Sequence, residues 1–412
     1  MALIGTTTGR TYAPGRLVAR AGEGSVFRVE GHEALLLKVL TRPLTARAVE
    51  KLQTLAAIQP RPGYTALPVE VVVDPSTAQA VGFVQPYFGR AVPLTRVLDT
   101  HGRAALKLPD DLAFRVKLCR LLADAFTRVH QAHLVVGDVS DGNFLLGRDR
   151  LGRAWVVYVI DCNSFQVTVR TPRGNEVFVS GVATEAYAAP EVQPTDWATS
   201  LRSVHSDAFG LAVLAWKLLF GGSHPFAVVT PRSVDVPPLG ERVARRLFPF
   251  RPGTPLPPGW AAPDLRPPLT VLSAEVRELF FRTFSAADPR DRPPAGEWAA
   301  VFRSWEVALT PSLPLRVLGA WNGSVADRLA VGLSAAKPYL GRVAVLVTLA
   351  ALTAWTARRE SPPAGLPAAL QATPAAYRRL LSPPRPFPNR PRPVDLDLFP
   401  EPVWNPLPPP TE

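Results

Sequence analysis

The sequence predicts an α+β chain: a smaller, mainly β part up to about residue 86, then a larger, mainly α part from about residue 89 to 305. Short β-type runs crowd the N-terminal part, while apolar residues at helical spacing dominate the larger one. Proline marks where the globular part stops, since 16 of the 46 prolines fall in residues 361–412.

In order, residues 16–19, 26–29 and 34–40 read as strands, 46–58 as a helix, and 69–73 and 81–84 as further strands. Beyond Gly89, Leu112, Val116, Leu121, Leu122, Ala125, Phe126 and Val129 recur at three to four residue steps, as one buried face of a long helix requires. There is no internal repeat. After a connecting segment, 306–338, residues 343–357 form a run of 15 without a charge, which Tyr339 and Leu340 lengthen if Arg342 snorkels. Two readings of the apolar helix 339–357 stay open: a buried or amphipathic helix, or a single membrane anchor. The proline-rich tail, 358–412, reads as extended and mostly disordered.

The 412 residues carry a net charge of +12, with 40 arginines against 6 lysines. No basic run interleaved with aromatics accompanies that charge, so no nucleic-acid partner is expected. Two cysteines, Cys119 and Cys162, exclude a disulfide framework and point to a reducing compartment. Residues 1–8 lack the charged and apolar regions of a cleaved signal peptide.

The chemistry concentrates in VVGDVSDGNFL, residues 135–145, and VIDCNSF, residues 159–165. Each places a carboxylate at the edge of an apolar strand, and Asn143 follows Asp138 by five positions. Phosphoryl transfer needs such a set: one carboxylate to orient a hydroxyl, another with an amide oxygen to hold Mg²⁺ on phosphates. Alone, Asp138 and Asn143 also fit an Asx turn capping a loop. His130 and His133, at the end of the long helix, read as packing and hydrogen bonding, Cys162 as a small core residue, and His224-Pro225-Phe226 as a turn.

With these motifs and their flanks, residues 12–305 resemble the eukaryotic-like bacterial protein kinases, which implies a two-lobed protein-kinase-like fold. Ala19 to Phe27 resembles the glycine-rich phosphate loop, and Leu35-Leu36-Leu37-Lys38 the strand whose lysine contacts phosphates. The resemblance makes Glu50 the partner of Lys38, Asp138 the catalytic-loop aspartate, and Asn143 and Asp161 the Mg²⁺ ligands. It assigns ATP to Gly22, Gly24, Val26, Lys38, Gln85 and Tyr87. Ala189-Pro190-Glu191 resembles the close of the activation segment, preceded by Thr184 at the acceptor site. Asp207 resembles the helix aspartate that braces the catalytic loop, and Arg292 the partner of Glu191. A buried carboxylate and guanidinium left apart would each be costly, so these two make sense as a pair.

Departures from the pattern qualify this. Val136 and Gly137 stand where most kinases have His and Arg, so the arginine that reads an activation-loop phosphate is absent. Residues 166–170 and 176–179 alternate around a turn, which predicts a hairpin ordered without phosphorylation. Asn163 replaces a glycine, and asparagine tolerates left-handed angles. Ser140 replaces the lysine that neutralises the transferred phosphoryl.

The resemblance implies a Ser/Thr kinase acting on a protein substrate with ATP and Mg²⁺. A small-molecule phosphotransferase of the aminoglycoside kinase type and a pseudokinase scaffold binding nucleotide and partners are the alternatives. DCNSFQ is similar to the DCDSFQ of one bacterial group, often encoded beside a PP2C-type phosphatase and a von Willebrand-type domain protein, which makes these expected partners. The expected location is a cytoplasmic kinase domain which, on the anchor reading of 339–357, is tethered to the inner membrane.

Overall fold

Alternation along the strand 32–40 sets up the N-terminal part: Leu35 and Leu37 point to one side of a sheet, Leu36 and Lys38 to the other. The computed structural model describes residues 2–310 apart from positions 60, 62, 150, 173, 252, 254 and 255. The apolar run 339–357, most of the connecting segment and the proline-rich tail lie outside the described residues. Among the described residues no helix is long and apolar enough to cross a membrane.

The N-terminal part comprises β1 (Leu3–Gly5), β2 (Thr11–Tyr12), β3 (Pro14–Ala21), β4 (Gly24–Val29), β5 (His32–Leu40), α1 (Ala46–Ala57), β6 (Glu70–Val73) and β7 (Ala80–Pro86). Its strands form one seven-stranded antiparallel sheet in the order β2-β1-β6-β7-β5-β4-β3. One face gathers Leu3, Tyr12, Val29, Leu35, Leu37, Val72 and Val84 into a core. Opposite, Leu52 of α1 packs on Val71 and Phe83. Thr45 caps α1, its hydroxyl accepting from the Ala48 amide.

The C-terminal part continues through β8 (Val92–Pro93), α2 (Thr100–Ala105), α3 (Leu112–Gln131), β9 (Leu134–Val135), β10 (Phe144–Arg148), β11 (Trp155–Val159), β12 (Gln166–Thr171), β13 (Gly174–Phe178), α4 (Val204–Leu219), α5 (Leu239–Ala244), α6 (Ala274–Ser285) and α7 (Ala295–Leu309). Helix α3 coincides with the helical repeat in the sequence and packs against α7 and α4. Helix α4 is apolar nearly all round and accordingly buried, its Trp216 surrounded by Phe220, Phe248, Phe280 and Phe284. Two three-stranded sheets, β8-β10-β11 and β9-β12-β13, carry the chemistry-bearing loops between their strands. Helix α7 runs to Leu309, beyond the end at 305 that the sequence suggests.

Candidate active site

The loop after β9 holds Asp138. Both oxygens of Asp207, 1% exposed in α4, accept backbone amides from this loop: Oδ2 from Val136 at 2.7 Å and Oδ1 from Gly137 at 3.0 Å. His130, at the end of α3, shares a 2.9 Å hydrogen bond with Asp207 Oδ2. A buried carboxylate satisfied in this way fixes the loop rather than ionic chemistry. Gly137 takes φ +74°, and a Cβ there would stand 2.6 Å from Ser180 Cβ. Glycine is therefore required at this point, by angle and by space.

Asp138 faces out of that braced loop. Its Oδ1 accepts from Thr184 Oγ1 at 2.9 Å, and Asn143 Nδ2 donates to its backbone carbonyl at 2.9 Å and its Oδ2 at 3.4 Å. Burial pushes the Asp138 carboxyl above the ordinary aspartate range, the nearby charges of Asp161 and Glu23 push the same way, and the bonds from Thr184 and Asn143 oppose the rise. With Nδ2 spent on Asp138, Asn143 keeps an amide oxygen for a cation.

Asp161 follows β11 in a left-handed conformation, φ +56° and ψ 34°, and opens the turn Cys162–Ser164. The left-handed residue of this motif is thus Asp161, and Asn163 is not among the positive-φ residues. Asn163 instead turns its side chain to Lys38, whose Nζ donates to Asn163 Oδ1 at 3.2 Å and to Asp161 Oδ1 at 2.6 Å. Cys162 is buried, its thiol pushed far up by burial.

The expected Lys38–Glu50 pair is not formed. Glu50 is exposed on α1 and Lys38 meets Asp161, Asn163 and, at 3.6 Å, Glu23 of the β3–β4 turn. The reason is helical geometry: positions two apart point about 200° from each other. Once Leu52 faces the sheet, Glu50 faces solvent. Tyr87 donates its amide to the Ala34 carbonyl at 2.8 Å and holds the Arg28 guanidinium 3.9 Å from its ring centre. Gln85 is 7% exposed and its Oε1 has no hydrogen-bond partner. Val26 lies opposite Lys38 on β4, Gly22 borders open space, and a Cβ on Gly24 would collide with Val39 O.

Arg292, 1% exposed, grips Glu191 with two nitrogens at 2.7 and 2.6 Å and also donates to the His205 carbonyl. The segment between Asp161 and Glu191 contains the β12–β13 hairpin, and β12 pairs with β9 beside the catalytic loop. Sequence reading missed Arg202. Gln166 clasps its backbone through Nε2 at 2.6 Å and Oε1 at 2.8 Å, which sets the aliphatic stem of its side chain beside Gly137 while its guanidinium donates to the Ser200 carbonyl at 3.1 Å.

A lysine and a carboxylate from distant strands, a braced aspartate, and a clamp closing the segment between them occur here in the chain order of a protein kinase. The fold is protein-kinase-like. The chain is 27% identical over 299 residues to a protein named protein kinase YegI of Escherichia coli O157:H7. It is 26% identical over 303 residues to the protein of that name in Escherichia coli K12. The matches cover 72% and 73% of this chain, which spans 45% of the length of each relative. A solved structure, the ROP18 kinase domain in complex with AMP-PNP and sucrose, matches 74% of this chain and 83% of its own at 16% identity and a TM-score of 0.49. No protein-family model matches.

The donor chemistry fits Mg²⁺ with a nucleotide. Among the described residues no three His, Cys, Asp or Glu side chains converge to hold a metal by themselves. Asp161 and Asn143 offer two hard oxygens, and Mg²⁺ takes the remainder of its shell from phosphates and water.

Proposed function

We propose that this chain is a protein kinase that transfers the γ-phosphoryl group of ATP to Ser or Thr hydroxyls of a protein. The observation that carries the reading is the 2.9 Å bond from Thr184 to Asp138. It ties the segment leading to Glu191 directly to the carboxylate that would receive the acceptor hydroxyl, an arrangement suited to a polypeptide laid along that segment. The Glu191–Arg292 clamp fixes the same segment from behind and weighs against a small-molecule acceptor.

In this reading ATP with Mg²⁺ supplies the phosphoryl group and its charge neutralisation. Lys38 holds phosphate oxygens, Asn143 and Asp161 hold the metal, and Gly22 leaves room for backbone to cover the phosphates. Asp138 orients the hydroxyl and accepts its proton. A PP2C-type phosphatase and a von Willebrand-type domain protein are proposed partners on resemblance alone. Tethering of a cytoplasmic domain to the inner membrane through 339–357 is likewise a proposal from the sequence.

The test incubates the full chain with labelled ATP and Mg²⁺ on protein substrates, beside Asp138→Asn and Asp161→Ala. Labelling of Ser or Thr by the wild type and a drop of about 10²-fold or more in both variants is expected. Equal labelling by all three proteins sinks the catalytic reading; nucleotide binding without labelling replaces it by the scaffold.

A further inference from the structure

Helix α1 turns a lysine, rather than an acid, toward the segment that follows β13 beside the catalytic loop. Lys51 is half-buried at the border of the face that carries Leu52 and Leu55. Its Nζ donates to the Val179 carbonyl, just past β13, at 2.8 Å. An ammonium has three donors, so this bond leaves others for anionic oxygens. Burial pushes Lys51 down to about 8, and Glu23 is the charge that opposes the fall.

Glu23 links the cations. It stands at the β3–β4 turn with its side chain 59% exposed, its carboxylate is 3.6 Å from Lys38 Nζ, and its charge also bears on Asp138. One exposed carboxylate therefore shares its field with Lys38, Lys51 and Asp138, and the Val179 carbonyl that holds Lys51 precedes Ser180, which abuts Gly137 beside Asp138. The catalytic loop is neutral at Ser140, so the charge developing on that phosphoryl needs a cation from elsewhere. Another charge near Lys51 is Arg47 on its own helix, which pairs with Glu176 of β13 at 2.7 Å.

We propose that Lys51 contacts the terminal phosphate of the bound nucleotide, bringing from helix α1 the positive charge missing at Ser140, and that Glu23 occupies Lys38 until phosphate oxygens displace it. The inference rests on the kinase reading above and adds a residue to it. Phosphate is the stronger partner because it brings more charge and more acceptor oxygens than one carboxylate.

Full-length wild type, Lys51→Met, Lys51→Arg and Glu23→Gln are each titrated with ADP and with a non-hydrolysable ATP analogue in Mg²⁺. In Lys51→Met, analogue binding weakens about tenfold while ADP binding stays within about twofold, so a general loss of folding is separated from loss of the terminal contact. Glu23→Gln tightens the analogue more than ADP. Lys51→Arg restores the preference for the analogue and keeps it to about pH 9.5, where the wild type, its lysine neutral in the free protein, has lost part of it. Equal weakening of both nucleotides by Lys51→Met, or none, overturns the proposal and leaves the kinase reading standing. A wild type that binds no nucleotide overturns both.

Discussion

At the scale of single residues, Asp138 shows how environment rather than identity sets a chemical role. Its carboxyl is raised first by burial, and the Thr184 hydroxyl bonds its ionised form. In the proposed reaction Asp138 must be ionised to accept a proton, so the acid limb of kcat/KM lies above the ordinary aspartate range. Thr184→Val removes a bond to the charged form and moves that limb to still higher pH. A kcat/KM–pH profile checks this, and a limb that stays or moves down refutes it. That Asn143 would meet Asp138 and that Asp161 would close a strand was legible in the sequence, because each sits beside an apolar strand in a spaced motif. Glu50 misled because motif order says nothing of rotation about a helix axis, which the burial of Leu52 and Leu55 decides. That same pair places Lys51 at the inner border, a signal available in the sequence but outweighed by the expectation of an acid.

Among elements, the β12–β13 hairpin bears most on regulation. Five residue pairs, from Val167 opposite Phe178 to Thr171 opposite Gly174, zip it, and Arg47 and Lys51 of α1 reach Val177 and Val179 carbonyls beside it. Backbone pairing of this kind supports the expectation that the hairpin forms without a phosphate. In phosphatase-treated protein the hydrogen-bonded amides of Val167 and Val169 exchange slowly with solvent; exchange at the rate of an unstructured peptide until Ser180 or Thr184 is phosphorylated excludes the idea. The alternation around its turn made this hairpin readable, as the helical repeat did α3. The β1–β2 hairpin was not readable. Its strands are too short for a pattern, and its turn is held from a distance by buried Glu70, which accepts from the Thr7 and Thr8 amides, the Thr8 hydroxyl and the Tyr12 hydroxyl.

For the molecule as a whole, acid stability is coupled to one histidine. His224 follows α4 with Nε2 donating to the Ala186 carbonyl at 2.8 Å and Nδ1 accepting the Phe226 amide at 3.1 Å, which fixes the neutral ring. Burial lowers it from 6.5 to about 4. The unfolded chain therefore binds the proton first, and stability present above about pH 6.5 is lost progressively as pH falls toward 4. Urea unfolding across that window shows the loss, and His224→Gln flattens it; an unchanged slope in the variant assigns the loss to other groups. The division into a β part and a helical part was legible because the periodicity of apolar residues changes near Gly89. The bond between Glu191 and Arg292 joins positions 101 apart, and it sets an order on synthesis. A nascent chain that has not yet emitted Arg292 from the ribosome already possesses Lys38, Asp138, Asn143 and Asp161, yet lacks the guanidinium that holds Glu191 at the end of the segment on which, in the proposed function, an acceptor would lie. Completion of the catalytic surface is thus deferred until almost the whole described chain has been made, so incomplete chains carry the chemistry without the means to present a substrate to it.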